Sequence, residues 1–167
     1  THCSLIIGFP GETRDTVQET IDLVDEASPD TYRAQVWYCD PSTPVWKKRD
    51  ELGLRGSQFD WSHPTMDAAT AGDLVDEMFL TIASSTWLPQ HGFESRSLFY
   101  LQRKGMPLAQ ILRFLRHFND AVKFKLKHPA ARAMDPRLLR ALAASSRFEG
   151  RDRGVEPGAD EAALADG

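Results

Sequence analysis

The sequence predicts an α/β fold in which a β-α-β unit is followed by a mostly α-helical extension. Three observations support this prediction. An apolar run at residues 5–7 ends at the turn Gly8-Phe9-Pro10-Gly11, which is typical of a strand buried on both faces. Apolar residues then recur at helical spacing, namely Val17, Ile21 and Val24. Residues 31–38 are rich in aromatic and β-branched side chains, which favours a second strand.

A helix joins the two predicted strands, so we expect them to be parallel neighbours with a right-handed crossover. A loop of composition Cys-Asp-Pro-Ser-Thr-Pro follows the second strand at residues 39–44. The carboxyl ends of parallel strands meet at one edge of a sheet. This loop and the glycine-rich turn at residues 8–11 are therefore expected to form two walls of a site.

The rest of the chain is predicted to be helical, with breaks at glycine and proline. Helical patterns lie at residues 45–54, 67–87, 98–101 and 107–129, and a last helix begins at its expected cap, Asp135. Thr65 or Asp67 is the expected cap of the second of these helices, and Pro89 its expected end. Residues 57–64 are expected to be irregular. Residues 149–167 contain few bulky apolar side chains, which predicts a disordered tail.

Composition limits the classes of function. The 167 residues are 41% hydrophobic, which suffices for one domain with a core. A net charge of −4 gives no general electrostatic basis for binding nucleic acid. Two cysteines are too few for a disulfide framework or a cysteine-built metal site, so we expect a reducing, cytoplasmic setting. No apolar run reaches the roughly 18 residues of a membrane span. The chain enters a buried strand almost at its first residue, which we interpret as a sign of truncation.

The segment LIIGFPGET, the acidic helix after it, the next strand and the loop at residues 40–44 resemble part of the radical S-adenosylmethionine enzymes. They are similar to the fifth strand, fifth helix and sixth strand of that family, especially in the branch with an amino-terminal cobalamin-binding domain. Residues 61–66 and 99–106 are similar to carboxyl-terminal extensions of some members. The resemblance implies the end of a partial (β/α)6 TIM-like barrel at residues 1–56, followed by a mostly helical extension at residues 57–148.

The resemblance also implies a cofactor site. The residues that match family positions in contact with S-adenosylmethionine are Ile6, Gly8, Pro10 and Gly11, with Tyr38 and Cys39 where the adenine is approached. Ser4 stands where the family usually has glycine. The C-x-x-x-C-x-x-C loop, whose three cysteines hold a 4Fe-4S cluster, is not in this chain. The chain would therefore need the missing amino-terminal half of the enzyme as its partner, and by itself we expect it to be inactive.

For the complete enzyme, the resemblance implies reductive cleavage of S-adenosylmethionine at the 4Fe-4S cluster, with cobalamin as a further cofactor in the cobalamin-dependent branch. Methyl transfer and other radical reactions both remain open. The substrate, a small molecule or a peptide, is not identified, and no catalytic residue is assigned.

The alternative is a non-catalytic helical module that keeps a β-α-β remnant and binds a protein partner through a basic face. The residues of that face are Arg113, Arg116, Lys123, Lys125 and Lys127. Nucleic acid is disfavoured as the partner because no aromatic stacking platform accompanies them.

Three polar residues near the predicted site have two interpretations each. Glu12 is either a general base or a carboxylate that favours the start of a helix. His63 either lines a substrate pocket or makes a local hydrogen bond. Asp40 is either a site residue or part of an ordinary turn before proline. The structural role is the commoner one in each case. The other histidines, which lack metal-ligand spacing, are His2, His91, His117 and His128.

Overall fold

A computed structural model describes residues 1–89 and 95–147 and shows a mixed α/β chain with six helices and two three-stranded sheets. The strands are His2–Ile7 (β1), Thr31–Val36 (β2), Arg55–Ser57 (β3), Asp60–His63 (β4), Met66–Asp67 (β5) and Thr86–Trp87 (β6). The helices are Arg14–Ala27 (α1), Pro44–Lys47 (α2), Ala68–Thr81 (α3), Ser95–Arg103 (α4), Leu108–Lys127 (α5) and Pro136–Ser146 (α6). The predicted tail at residues 149–167 lies outside the described residues.

The predicted β-α-β unit is confirmed. β1 and β2 are parallel neighbours, paired from His2 opposite Thr31 to Ile7 opposite Val36, and α1 connects them. α1 begins at a capping box: the Thr13 hydroxyl accepts a hydrogen bond from the Thr16 amide at 3.2 Å, and the Thr16 hydroxyl accepts one from the Thr13 amide at 3.0 Å. These local bonds explain why the helix begins directly after the glycine-rich turn.

The helix predicted at residues 67–87 is shorter than expected. The prediction that it ends at Pro89 is wrong. Its predicted cap is confirmed, because the Asp67 carboxylate accepts a hydrogen bond from the Thr70 amide at 2.7 Å. α3 ends at Thr81, and the chain then forms β6, which pairs in parallel with β2. The Ser85 hydroxyl donates to the carbonyl oxygen of Pro29 at 2.6 Å, which holds the segment before β6 next to the start of β2. The helix thus ends early because the chain after it pairs with the edge of β2. The local sequence pattern does not indicate this pairing.

The segment expected to be irregular at residues 57–64 instead contributes to a small antiparallel sheet, β3-β4-β5. Gly56 and Gln58 both have positive φ, at 70° and 58°, and shape the β3-β4 turn. A Cβ on Gly56 would overlap the carbonyl oxygen of Asp60, so this position requires glycine. The helix predicted at residues 45–54 is also wrong in length, since α2 stops at Lys47 and turns follow.

The main core lies on one face of the β1-β2 pair. Residues from β1, β2, α1 and α3 meet there, including Ile7, Val17, Val24, Tyr32, Ala34, Leu74 and Met78. The opposite face of the two strands carries Ser4, Ile6 and Arg33, and Ile6 is 53% exposed. The Arg33 guanidinium donates to the Ser4 hydroxyl at 3.0 Å across this face. The parallel pair is therefore covered by helices on one side and open on the other.

The helical half has its own apolar cluster and a direct link to the sheet. Its buried residues are Leu88, Met106, Ile111 and Leu115. The Asn119 side-chain amide on α5 donates to the carbonyl oxygen of Trp87 at 3.0 Å, which holds α5 against β6. In the part of the chain that the structure describes, we find no helix with the combined length and apolar character that crossing a membrane requires.

Candidate functional site

The candidate site lies at the carboxyl edge of β1 and β2, where two loops leave the sheet side by side. The first is the turn at residues 8–12, and the second comprises residues 37–40. The Trp37 amide donates to the carbonyl oxygen of Ile7 at 2.7 Å and joins the two loops. The predicted meeting of both loops at one edge is thus confirmed.

The backbone of the first loop is held by two side chains. The Gly8 amide donates to the carboxylate of Glu12, and the carbonyl oxygen of Gly8 lies 3.2 Å from Nε2 of buried His63. The Thr65 hydroxyl donates to the carbonyl oxygen of Glu12 at 2.7 Å and lies 3.1 Å from Nδ1 of His63. Glu12 and His63 therefore hold the turn in place, which favours the structural interpretation of both.

Three aromatic rings pack together at this edge: Trp61 from the small sheet, and Phe9 and Trp37 from the two loops. Trp61 stacks on His63 with ring centroids 5.4 Å apart and planes 3° from parallel. Its indole nitrogen donates to the carbonyl oxygen of Trp37 at 2.9 Å, and the two indole rings lie 5.5 Å apart. Phe9 meets Trp37 edge-on at 5.5 Å. These contacts join the small sheet to the carboxyl edge of the parallel strands.

The packing of Trp61 explains why residue 8 is glycine. Gly8 has a φ of 96°, and a Cβ there would lie 2.7 Å from Cζ2 of Trp61 and closer still to Cη2. The close approach that this glycine allows is therefore made by a side chain of the same protein. Gly11 also has positive φ, at 97°, but a Cβ added there would meet no atom within 4 Å. Glycine at position 11 is therefore explained by the positive φ of the turn and not by a close contact.

The six sequence-predicted cofactor residues differ in accessibility. Ile6 is 53% exposed, Tyr38 is 48% exposed, and Gly11 and Pro10 are also reachable from solvent. Gly8 is buried, and both polar groups of its backbone are used within the chain. Ile6, Pro10, Gly11 and Tyr38 are therefore the members of this set that solvent can reach.

Cys39 is the second predicted residue that is not accessible, at 1% exposure. Its amide and carbonyl pair with the carbonyl and amide of Gln58 at 2.9 and 2.7 Å, which extends the small sheet to the second loop. Burial, and to a lesser degree the Asp40 carboxylate, raises the pKa of the Cys39 thiol. Its side chain therefore packs in the core and does not face the edge.

Asp40 makes the turn that its sequence context indicates. Its carboxylate accepts a hydrogen bond from the Ser42 amide at 2.8 Å, which lowers its pKa. Its carbonyl oxygen accepts hydrogen bonds from the amide and hydroxyl of Thr43, at 3.0 and 2.7 Å. These contacts favour a structural role for Asp40.

Sequence reasoning missed the exposed Phe9 and the covering Trp61. Phe9 is 48% exposed beside Trp37, so it adds an aromatic surface to the edge. The available signal for Trp61 was the alternation of aromatic and polar residues at 59–63, between turn residues, which is typical of a strand in a hairpin.

The exposed groups fit part of S-adenosylmethionine and none of the cluster. Ile6, Phe9 and Tyr38 offer apolar and aromatic surface suited to an adenosyl group. Among residues 1–89 and 95–147, no group of three or more histidine, cysteine or acidic side chains is arranged to hold a metal ion. The two cysteines of the chain do not form a ligand set for a 4Fe-4S cluster.

Three of the five residues of the predicted basic face of α5 make contacts within the fold. Arg116 donates to the Thr86 hydroxyl at 3.0 Å, and Lys125 donates to the carbonyl oxygen of Ala131 at 2.7 Å. Lys123 lies 3.4 Å from the carbonyl oxygen of Ile82 and 5.2 Å from the centre of the Phe79 ring. Their internal contacts weaken the case for a docking surface.

Comparisons of the chain with protein-family models, curated proteins and solved structures find no match.

Proposed function

We propose that this chain is the carboxyl-terminal part of a radical S-adenosylmethionine enzyme, and that its β1-β2 edge forms one wall of the S-adenosylmethionine site. The observation that carries the proposal is the parallel β1-β2 pair with helices on one face and an open face on the other. Parallel sheets are normally covered on both faces. A partial (β/α)6 TIM-like barrel meets that need, because its strands face one another inside a ring of helices.

In this proposal the accessible residues of the edge have distinct roles. Ile6 and Tyr38 provide apolar and aromatic contacts for the adenosyl group. Gly11 and Pro10 line the turn at the carboxyl end of β1. Glu12 and the buried His63 position this turn through the Gly8 backbone and do not themselves touch the ligand.

Bound to a 4Fe-4S cluster, S-adenosylmethionine supplies radical chemistry by reductive cleavage, and in the cobalamin-dependent branch cobalamin supplies methyl transfer. The cluster ligands belong to the C-x-x-x-C-x-x-C loop of the amino-terminal half, which we propose as the partner of this chain. A cytoplasmic setting is part of the proposal, since Cys3 and Cys39 are both free thiols.

The coding sequence upstream of Thr1 tests the proposal directly. We expect an in-frame C-x-x-x-C-x-x-C loop within about one domain length. The full reading frame, expressed and reconstituted anaerobically with iron and sulfide, is then expected to convert S-adenosylmethionine to 5′-deoxyadenosine and methionine under a chemical reductant. Mass spectrometry measures both products. An upstream sequence without the cysteine loop, or a reconstituted protein that forms neither product, overturns the proposal.

A pair of variants tests the contribution of the β1-β2 edge. Tyr38→Ala in the full-length protein is expected to weaken S-adenosylmethionine binding about 5- to 150-fold, since stacking of a base on an aromatic ring is worth about 1–3 kcal/mol. Phe99→Ala removes an exposed aromatic ring on α4, outside the β1-β2 edge, and is expected to leave binding unchanged. Calorimetric titration measures both affinities. Equal affinities of the Tyr38 variant and the unchanged protein would place the adenosyl group elsewhere.

One observation supports the alternative that the chain is a non-catalytic interaction module. Phe99 and Tyr100, adjacent on α4, are 66% and 59% exposed, and exposed aromatic residues are enriched at protein interfaces. This alternative predicts that the chain melts cooperatively as a monomer and does not respond to S-adenosylmethionine. Thermal unfolding and sedimentation, each with and without S-adenosylmethionine, distinguish the two proposals.

A further inference from the structure

A cavity lies at the opposite end of the parallel strands from the candidate site. It has a volume of about 210 Å³ and lies between α5, β6 and the segment that follows α3. β6 pairs with the first two residues of β2, so the cavity is at the amino end of that strand. At about 3.3 Å per residue, the length of β2 separates it from the carboxyl edge. Binding here is independent of the proposed function.

Asn119 gives this cavity an unpaired buried acceptor. The residue lines the cavity, is only 6% exposed, and donates through Nδ2 to the carbonyl oxygen of Trp87 at 3.0 Å. Because a carbonyl oxygen only accepts, the orientation of the amide is defined. Its Oδ1 atom has no hydrogen-bond partner among the residues that the structure describes. Buried acceptors are almost always paired, so Oδ1 is expected to accept from a donor outside the chain, either a bound molecule or a water.

Two cations on the same helix line the cavity on either side of Asn119. Arg116 donates through Nε to the Thr86 hydroxyl at 3.0 Å, which fixes its guanidinium at the cavity. Lys123 contacts the carbonyl oxygen of Ile82 at 3.4 Å. The pKa of Lys123 is lowered mainly by burial. The Asp120 carboxylate raises this pKa, and the charge of Lys127 lowers it further. An anionic group beside Lys123 would offset the cost of burying its charge.

Asp120 lines the same cavity and gives it an acidic side. The cavity therefore combines two cationic groups, one carboxylate and one orphaned amide oxygen. We infer that it binds a small zwitterion, with its carboxylate on Arg116 and Lys123 and its ammonium group on Asn119 Oδ1 and Asp120. At roughly 30 Å³ for each water-sized unit, the volume admits a ligand of about seven non-hydrogen atoms. That size corresponds to a small α-amino acid.

Calorimetric titration of the full chain with glycine, L-alanine and L-serine tests this inference. Acetate and methylamine serve as half-ligands, since each carries one of the two charged groups. We expect at least one amino acid to bind and both half-ligands to bind at least about tenfold more weakly, because each loses one set of charge-assisted hydrogen bonds. Equal binding of either half-ligand overturns the zwitterion assignment. The absence of heat from all three amino acids at about 10 mM overturns the site.

Variants on α5 connect the binding to the named groups. Arg116→Gln and Lys123→Met are each expected to weaken binding about 10- to 100-fold. Arg113→Gln and Lys127→Met are matched controls on the same helix, are exposed outside the cavity lining, and are expected to change affinity less than about twofold. Circular dichroism checks that each variant is folded. An equal loss of affinity in the variants and their controls contradicts the inference.

A measurement on the unchanged protein covers the case in which a variant does not fold. Addition of L-serine is expected to shift the side-chain amide resonances of Asn119 in a heteronuclear NMR spectrum, with saturation at the calorimetric affinity. A crystal soaked in L-serine should show its ammonium group within hydrogen-bond distance of Oδ1. Unshifted resonances, or water alone at Oδ1 in the crystal, overturn the inference.

Discussion

Replacing Gly8 with alanine tests the central packing contact of the candidate site. Gly8 has a φ of 96°, and an added Cβ would lie 2.7 Å from Cζ2 of Trp61 and 3.0 Å from Cβ of Ala71. Gly11 has nearly the same φ, 97°, with no atom within 4 Å of that position. The two glycines share their backbone strain and differ in the steric clash. Gly11→Ala is therefore the matched control for Gly8→Ala.

The expected magnitudes follow from these two contributions. A left-handed conformation costs a residue with a Cβ about 1–2 kcal/mol, and added volume in a packed core costs about 1–3 kcal/mol. We expect Gly11→Ala to lower the free energy of unfolding by about 1–2 kcal/mol and Gly8→Ala to lower it by about 2–5 kcal/mol. Trp61 cannot move away without cost, since its indole nitrogen donates to the carbonyl oxygen of Trp37 at 2.9 Å.

Urea unfolding followed by circular dichroism measures both values. A Trp61→Phe background isolates the clash, because phenylalanine lacks the outer indole atoms that the new Cβ would meet. In that background Gly8→Ala should keep the backbone strain, about 1–2 kcal/mol, and the 3.0 Å contact with the Cβ of Ala71, and should lose the clash with the indole ring. Equal costs for Gly8→Ala and Gly11→Ala, or an unchanged cost in the Trp61→Phe background, would refute the packing argument.

Three further predictions concern single side chains. Hydrogen bonds from the amide of Thr70 lower the pKa of Asp67, so its contribution to stability is complete above about pH 4 and is lost as the pH falls through the lower folded value. Asp67→Asn keeps the helix cap and should remove that part of the acid sensitivity, as measured by thermal unfolding at several pH values. Tyr32→Phe removes a buried hydroxyl that donates to the carbonyl oxygen of Met78 at 3.1 Å, and should lower the free energy of unfolding in urea by about 0.5–1.5 kcal/mol. Cys39 should resist iodoacetamide until the chain unfolds, because it is 1% exposed and burial raises the pKa of its thiol; mass spectrometry detects the product, and rapid labelling of the folded protein would contradict its burial.

The elements that local chemistry defines were predictable from the sequence. The apolar run before Gly8 and the helical spacing after Thr13 identify β1 and α1, and the predicted caps Asp67 and Asp135 are confirmed at the starts of α3 and α6. The parallel pairing of β1 and β2 follows because a helix of fourteen residues lies between them. Such features depend on neighbours in the sequence, so a single chain suffices to predict them.

Other features depend on residues far apart in the chain. β6 forms where a helix was predicted, because the edge of β2 pairs with Thr86 and Trp87 and ends α3 at Thr81. Trp61 covers Gly8 from fifty-three positions away, and this contact defines which side of the turn a ligand can reach. The Asn119 cavity exists only because α5 packs on β6. The sequence by itself determined the β-α-β unit, the helix caps and the loops at one edge, since short-range hydrogen bonds and periodicity specify them. Only the tertiary structure decided which of those loop residues are exposed and where the Asn119 cavity lies, because burial depends on how distant parts of the chain pack together.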